Sequence, residues 1–106
     1  MGTEPERTPD GRYVVVGGRR WRAADPSLPD DVRARLQHHL GVARSAVRSR
    51  RRAGDDAGLA AAREAVGIAK RGLGERGDPW WELSVAERRT RWDDAVADLD
   101  ARENSG

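Results

Sequence analysis

The sequence contains no cysteine. Thiol nucleophiles, disulfides and thiolate metal sites are thereby excluded together. It also has no phenylalanine and only one tyrosine, so four tryptophans must supply much of the bulk of any core. No apolar run approaches the ~20 residues needed to cross a bilayer. The opening MGTEPERTPDG lacks the hydrophobic region of a signal peptide. These absences lead to the expectation of a soluble, cytoplasmic protein with no membrane partner. Lysine is nearly missing as well: Lys70 stands alone beside 19 arginines.

With 106 residues there is room for one domain and no second core. The arginine excess matches the codon bias of a GC-rich genome, but that bias does not decide where the charges fall. Residues 1 to 54 hold 12 arginines and 6 acids, a net +6, whereas residues 55 to 106 carry a net −4. Such polarity allows either internal pairing of the halves or a basic face turned to an acidic partner.

Residues 1–11 read as a flexible tail with nothing to bury, and residues 12–103 as a single small domain. Within YVVVGGRRWR, Tyr13 to Val16 and the piece from Arg19 to Ala23 are β-like, and Gly17-Gly18 suits a type I′ turn. A dinucleotide fingerprint needs a third glycine with a helix directly after it, and neither is present. A two-stranded hairpin over 13–23 is expected, with Trp21 bridging it to the helices.

Asp25-Pro26 then makes a turn, and a long helix is expected over about 30–53. Asp30 and Asp31 lie at its positive end and Arg48, Arg50, Arg51 and Arg52 at its negative end. Leu28, Val32, Leu36, Leu40, Ala43 and Val47 form its apolar stripe. Gly54 stops it, and a second helix over 56–72 presents Leu59, Ala62, Val66, Ala69 and Leu73. The short link makes the two an antiparallel helical hairpin with an alanine-rich seam. Ser84 and Glu87 form a capping box for a third helix over 84–101, with a stripe of Val85, Trp92, Val96 and Leu99. The fold class is mainly α: a hairpin, a long helical hairpin and a third C-terminal helix.

Little of this is catalytic. His38 and His39 are neighbours whose directions differ by ~100° on a helix, and no acid stands three or four residues from either. No metal site and no cofactor are expected. No Ser-His-acid pattern is present, and Asp93, Asp94, Asp98 and Asp100 read as the solvated side of the third helix. The expectation is a protein without enzymatic activity.

Two binding readings remain. In RGDPWWEL, Trp80 and Trp81 diverge, so one joins Trp21 and Trp92 in the core. The other can anchor a protein partner, with Arg76 and Glu82 beside it. Together with the alanine seam, this favours an interaction or adaptor module, with self-association as one form. The alternative is a nucleic-acid-associated factor using Arg44, Arg48, Arg50, Arg51 and Arg52. Five phosphate contacts would make affinity fall about 10²–10³-fold between 50 and 200 mM salt.

The pieces GGRRWRAADPSLP, RRAGDDAG and GLGERGDPWWEL, with the paired motifs RRWR–DP and GERG–PWW, carry a resemblance. Over roughly residues 12 to 100 the sequence resembles a family of small bacterial proteins that bear the label "biopolymer transporter Tol". The resemblance implies a recurring module, in some longer relatives followed by a second domain. It supplies no catalytic residues.

Overall fold

The computed structural model describes residues 6–105. Three short strands come first: β1 (Glu6–Arg7), β2 (Tyr13–Val16) and β3 (Arg19–Arg22). Helices α1 (Asp30–Ala53) and α2 (Asp56–Leu73) follow, then a 3-10 turn at Trp80–Glu82 and helix α3 (Val85–Ser105). No helix among the described residues is long and apolar enough to cross a membrane.

The β2–β3 hairpin has the expected two-residue connector, with Val16 paired to Arg19 and both Gly17 and Gly18 at positive φ. A third strand was not expected. β1 pairs antiparallel with β2, Glu6 opposite Val15 and Arg7 opposite Val14, so the sheet order is β1-β2-β3. Part of the stretch read as a flexible tail is therefore ordered, while residues 1–5 lie outside the described residues. The cause is the sequence Thr8-Pro9-Asp10-Gly11, a turn with its own chemistry. Gly11 N donates to Thr8 O at 2.8 Å and Thr8 N to Tyr13 O at 2.9 Å. Asp10 Oδ1 accepts from the Thr8 hydroxyl at 2.6 Å and from Arg12 N at 3.0 Å.

Helix ends follow their local signals. Asp55 caps α2 by accepting from Gly58 N at 2.9 Å. The Ser84–Glu87 box closes at 3.0 and 3.1 Å in its two directions. At the 3-10 turn Pro79, not Asp78, takes the cap position. Leu36 of α1 lies against Gly72 near the end of α2, and Arg50 against Gly58 near its start, so the two helices run in opposite senses. A Cβ on Gly72 would come within 2.6 Å of the Ala95 side chain and 3.0 Å of Leu36. Glycine there is what allows α1, α2 and α3 to meet.

Around that meeting point Leu28, Leu36, Leu40, Ile68, Ala69, Leu73, Trp92, Ala95 and Leu99 form the core. Two expected members are exposed instead. Val85 is 71% exposed, because it opens α3 ahead of the first turn that reaches the other helices, and Ala95 fills the seam instead. Trp21 is 47% exposed and does not bridge the sheet to the helices. Period-two alternation puts it on the side of Val14, its cross-strand partner. The face that docks is the opposite one. Tyr13 meets Trp81 edge-on at 5.7 Å between ring centroids, and Arg22 Nη1 donates to Gly77 O at 2.6 Å.

Candidate functional site

Because the sheet docks by its Tyr13 face, its Val14–Trp21 face overhangs the helices and leaves a cleft of about 600 Å³. Val14, Trp21 and Arg7 come from the sheet, Arg33, Gln37 and Arg44 from α1, Lys70 from α2 and Glu75 from the loop after it. The α1 members recur at helical spacing, a polar row alongside the apolar one. A second groove of about 450 Å³ is lined by Arg44, Val47, Arg48, Arg63, Val66 and Arg76. Arg44 lines both, so the two hollows adjoin at its side chain as a basic track over α1 and α2.

The track is strongly one-signed. Arg7, Arg22, Arg33, Arg44, Arg48, Arg63, Lys70 and Arg76 line it, and Glu75 is the only acid among its lining residues. None of those cations lies within ion-pair distance of a carboxylate among the described residues; the arginines that pair are Arg35, Arg50, Arg88 and Arg102. Burial pushes the Lys70 ammonium below its ordinary range, and repulsion from Arg76 and Arg44 adds to the push. Burial raises the Glu75 carboxyl, against the pull of Lys70, Arg44 and Arg76. The Nε atoms of Arg22 and Arg33 are buried without an acceptor. A buried donor left unpaired costs about 1–3 kcal/mol; both residues line the cleft, although Arg22 directs its Nη1 to Gly77 O on the docked face of the sheet. At the rim stands the exposed Trp21 indole, with the Arg19 guanidinium 4.6 Å from its ring centroid.

The structure divides the arginines that are contiguous in sequence. Arg44 and Arg48 line the track, and Arg51, exposed, follows Arg48 at helical spacing. Arg50 turns elsewhere, 3.5 Å from Asp55, and Arg52 is exposed at the helix end. The four residues of the tryptophan loop also separate. Arg76 joins the basic groove. Trp80 is buried, 7% exposed, with Nε1 donating to Ala23 O at 2.9 Å. Trp81 is half-buried between Trp80 and Tyr13 with Arg12 over its ring. Glu82 is exposed. The tryptophan pair is thus mostly a joint between sheet and helices.

Arg22, Arg33, Arg63, Lys70 and Glu75 were not among the expected site residues. The spacing of Arg33, Gln37, Arg44 and Arg48 was a usable signal for part of the track. Nothing in the sequence placed Arg7 or Arg22 over the helices. Compared with known proteins, the chain matches no family model, no curated protein and no solved structure. The site has to be read from its own chemistry.

Proposed function

We propose that the protein is a non-catalytic binding module for single-stranded nucleic acid, held along the track over α1 and α2. The observation that carries this reading is the meeting of two basic hollows at Arg44, with Glu75 the one acid among their lining residues and none of their cations in an ion pair among the described residues. Phosphates match the guanidinium donors, and successive charges along a strand match a track better than a single hollow. The Trp21 ring at the rim offers a stacking surface for a base. A single strand is favoured because the track is a hollow lined by side chains of several elements and not the face of one helix.

The test is fluorescence anisotropy with a labelled 15-mer, as single-stranded RNA, single-stranded DNA and duplex. With about five phosphates engaged, affinity for the single strands falls about 10²-fold between 50 and 200 mM salt. Arg44→Glu with Arg48→Glu reduces binding at least about 10-fold, whereas Arg50→Glu with Arg52→Glu, off the track, changes it little. Trp21→Ala removes a stacking contact of about 1–3 kcal/mol. No binding at 50 mM salt, or equal losses in the two arginine pairs, would refute this reading.

A second reading has its own observation. On another face, Val42, Ala43, Ala46, Ala61, Ala62 and Ala65 line a groove of about 410 Å³ between α1 and α2. Its small apolar residues permit close approach of a helix from a second copy, with Arg50, Arg102 and Glu103 also on its lining. Sedimentation velocity at 10 to 200 µM is then expected to show a growing dimer fraction, lost in Val42→Glu. A single monomer peak throughout excludes it.

A further inference from the structure

We propose that His38, His39 and Glu103 form a binding site for a divalent transition-metal ion, with Zn²⁺ the best match, where α1 meets α3. Two adjacent histidines on one helix do not make a chelate by themselves. The missing element comes from 65 residues further along the chain. His38 Nε2 and Glu103 Oε1 lie 3.1 Å apart. Two ligands on one tetrahedral zinc, at ~2.0–2.1 Å each, stand ~3.3 Å apart. An ion taking the place of the proton shared by this pair therefore needs little movement of either side chain. Together with His39, the cluster offers three ligand atoms all within 4.8 Å of one another. Closing the remaining distance takes ~1.5 Å at most, and His38 and Glu103 are both exposed enough to turn.

The surroundings support a ligand role. His39 is only 4% exposed, and its Nε2 is held by Asp100 Oδ1 at 2.7 Å. Asp100, expected on the solvated side of its helix, is instead half-buried and also accepts from Arg35 at 2.9 Å. A carboxylate that orients a ligating imidazole is the usual outer layer of a metal site. Glu103 differs from Asp100 in having no arginine in ion-pair contact among the described residues; its close partner is the His38 ring. Arg35 is occupied by Asp100, and Arg102 by Asp98 and Glu64. The donor set is two imidazoles and a carboxylate, which suits zinc and its transition-metal neighbours over the all-oxygen shells of magnesium and calcium. Three protein ligands leave a fourth position for water.

The experiment is isothermal titration of the folded full chain with zinc chloride at pH 7.5, with Co²⁺ absorption as a second readout of coordination. One equivalent of Zn²⁺ is expected to bind, and Co²⁺ to give the visible bands of a low-coordinate nitrogen and oxygen site. His38→Ala and Glu103→Gln each weaken binding at least about 10-fold, and Asp100→Asn about 10–100-fold. His38 is a surface residue, so its variant keeps the circular dichroism of the parent and any loss of metal is not a loss of fold. Zinc raises the melting temperature of the parent and leaves that of the His38→Ala, Glu103→Gln double variant unchanged. No uptake by the folded parent would overturn the proposal. Equal uptake by parent and double variant would overturn it too, and would leave the His–carboxylate contacts as a clamp between α1 and α3.

Discussion

Asp25→Ala is expected to lower folding stability by about 3–5 kcal/mol, the usual penalty for stripping one partner from a buried charge pair. Asp25 is 1% exposed. Its Oδ1 accepts from Ser27 N at 2.9 Å and from the Ser27 hydroxyl at 2.7 Å. Its Oδ2 faces Arg88 Nε at 3.1 Å. That contact has the distance of an ion pair but not the alignment of a hydrogen bond, so charge carries it. The backbone of the same residue ties in the end of α2, with Asp25 N donating to Leu73 O at 2.8 Å. A Cβ on Gly74, itself at φ 88°, would sit 3.0 Å from the Asp25 side chain. Removing the carboxylate therefore unpairs Arg88 and two Ser27 donors at one point where the sheet, α2 and α3 converge. Asp25→Asn keeps the Ser27 contacts and loses the charge, so its deficit should be smaller, about 1–3 kcal/mol. Urea unfolding followed by circular dichroism, with the slope unchanged between variants, measures both. A loss under 1 kcal/mol for the alanine variant would mean that water replaces the carboxylate there.

Trp80→Ala should cost a similar amount, about 3–5 kcal/mol, and Trp81→Ala clearly less. The two indoles touch edge-on, 5.1 Å between centroids, yet only Trp80 is enclosed. Its removal opens a cavity beneath Ala23, leaves Ala23 O without its donor, and takes the ring from under the Arg88 guanidinium 5.0 Å away. Trp81 lies between the sheet and water, where its neighbours Arg12 and Arg22 can follow it when it is cut back. Its variant should loosen the sheet more than the helices, seen as a loss of Tyr13 burial in fluorescence quenching. Equal costs for the two substitutions would show that the 3-10 turn behaves as one unit.

Features governed by neighbouring residues were legible in the sequence. The stop at Gly54, the Ser84–Glu87 box and the Gly17-Gly18 connector each depend on contacts within about four residues, and each stands where the spacing put it. The exceptions have physical reasons. β1 is two residues long, too short for alternation to register, although the turn chemistry of Thr8 to Gly11 pointed to it. Alternation tells which strand residues share a face, not which face is covered, and so Trp21 was expected to bridge sheet and helices where Tyr13, on the other face, meets Trp81. The arginines were grouped by chain order, whereas the helix sorts them by angle, keeping Arg44 and Arg48 on the track and sending Arg50 to Asp55. The approach of Glu103 to His38 spans 65 residues and leaves no local trace at all.

Lys70 is the sole side-chain amine in the chain, and it sits inside the cleft with its proton loosened by burial. An acylating reagent therefore has one side-chain amine to label, and that amine lines the cleft. Its labelling rate is expected to fall when the proposed nucleic acid fills the cleft, and an unchanged rate would count against occupancy there.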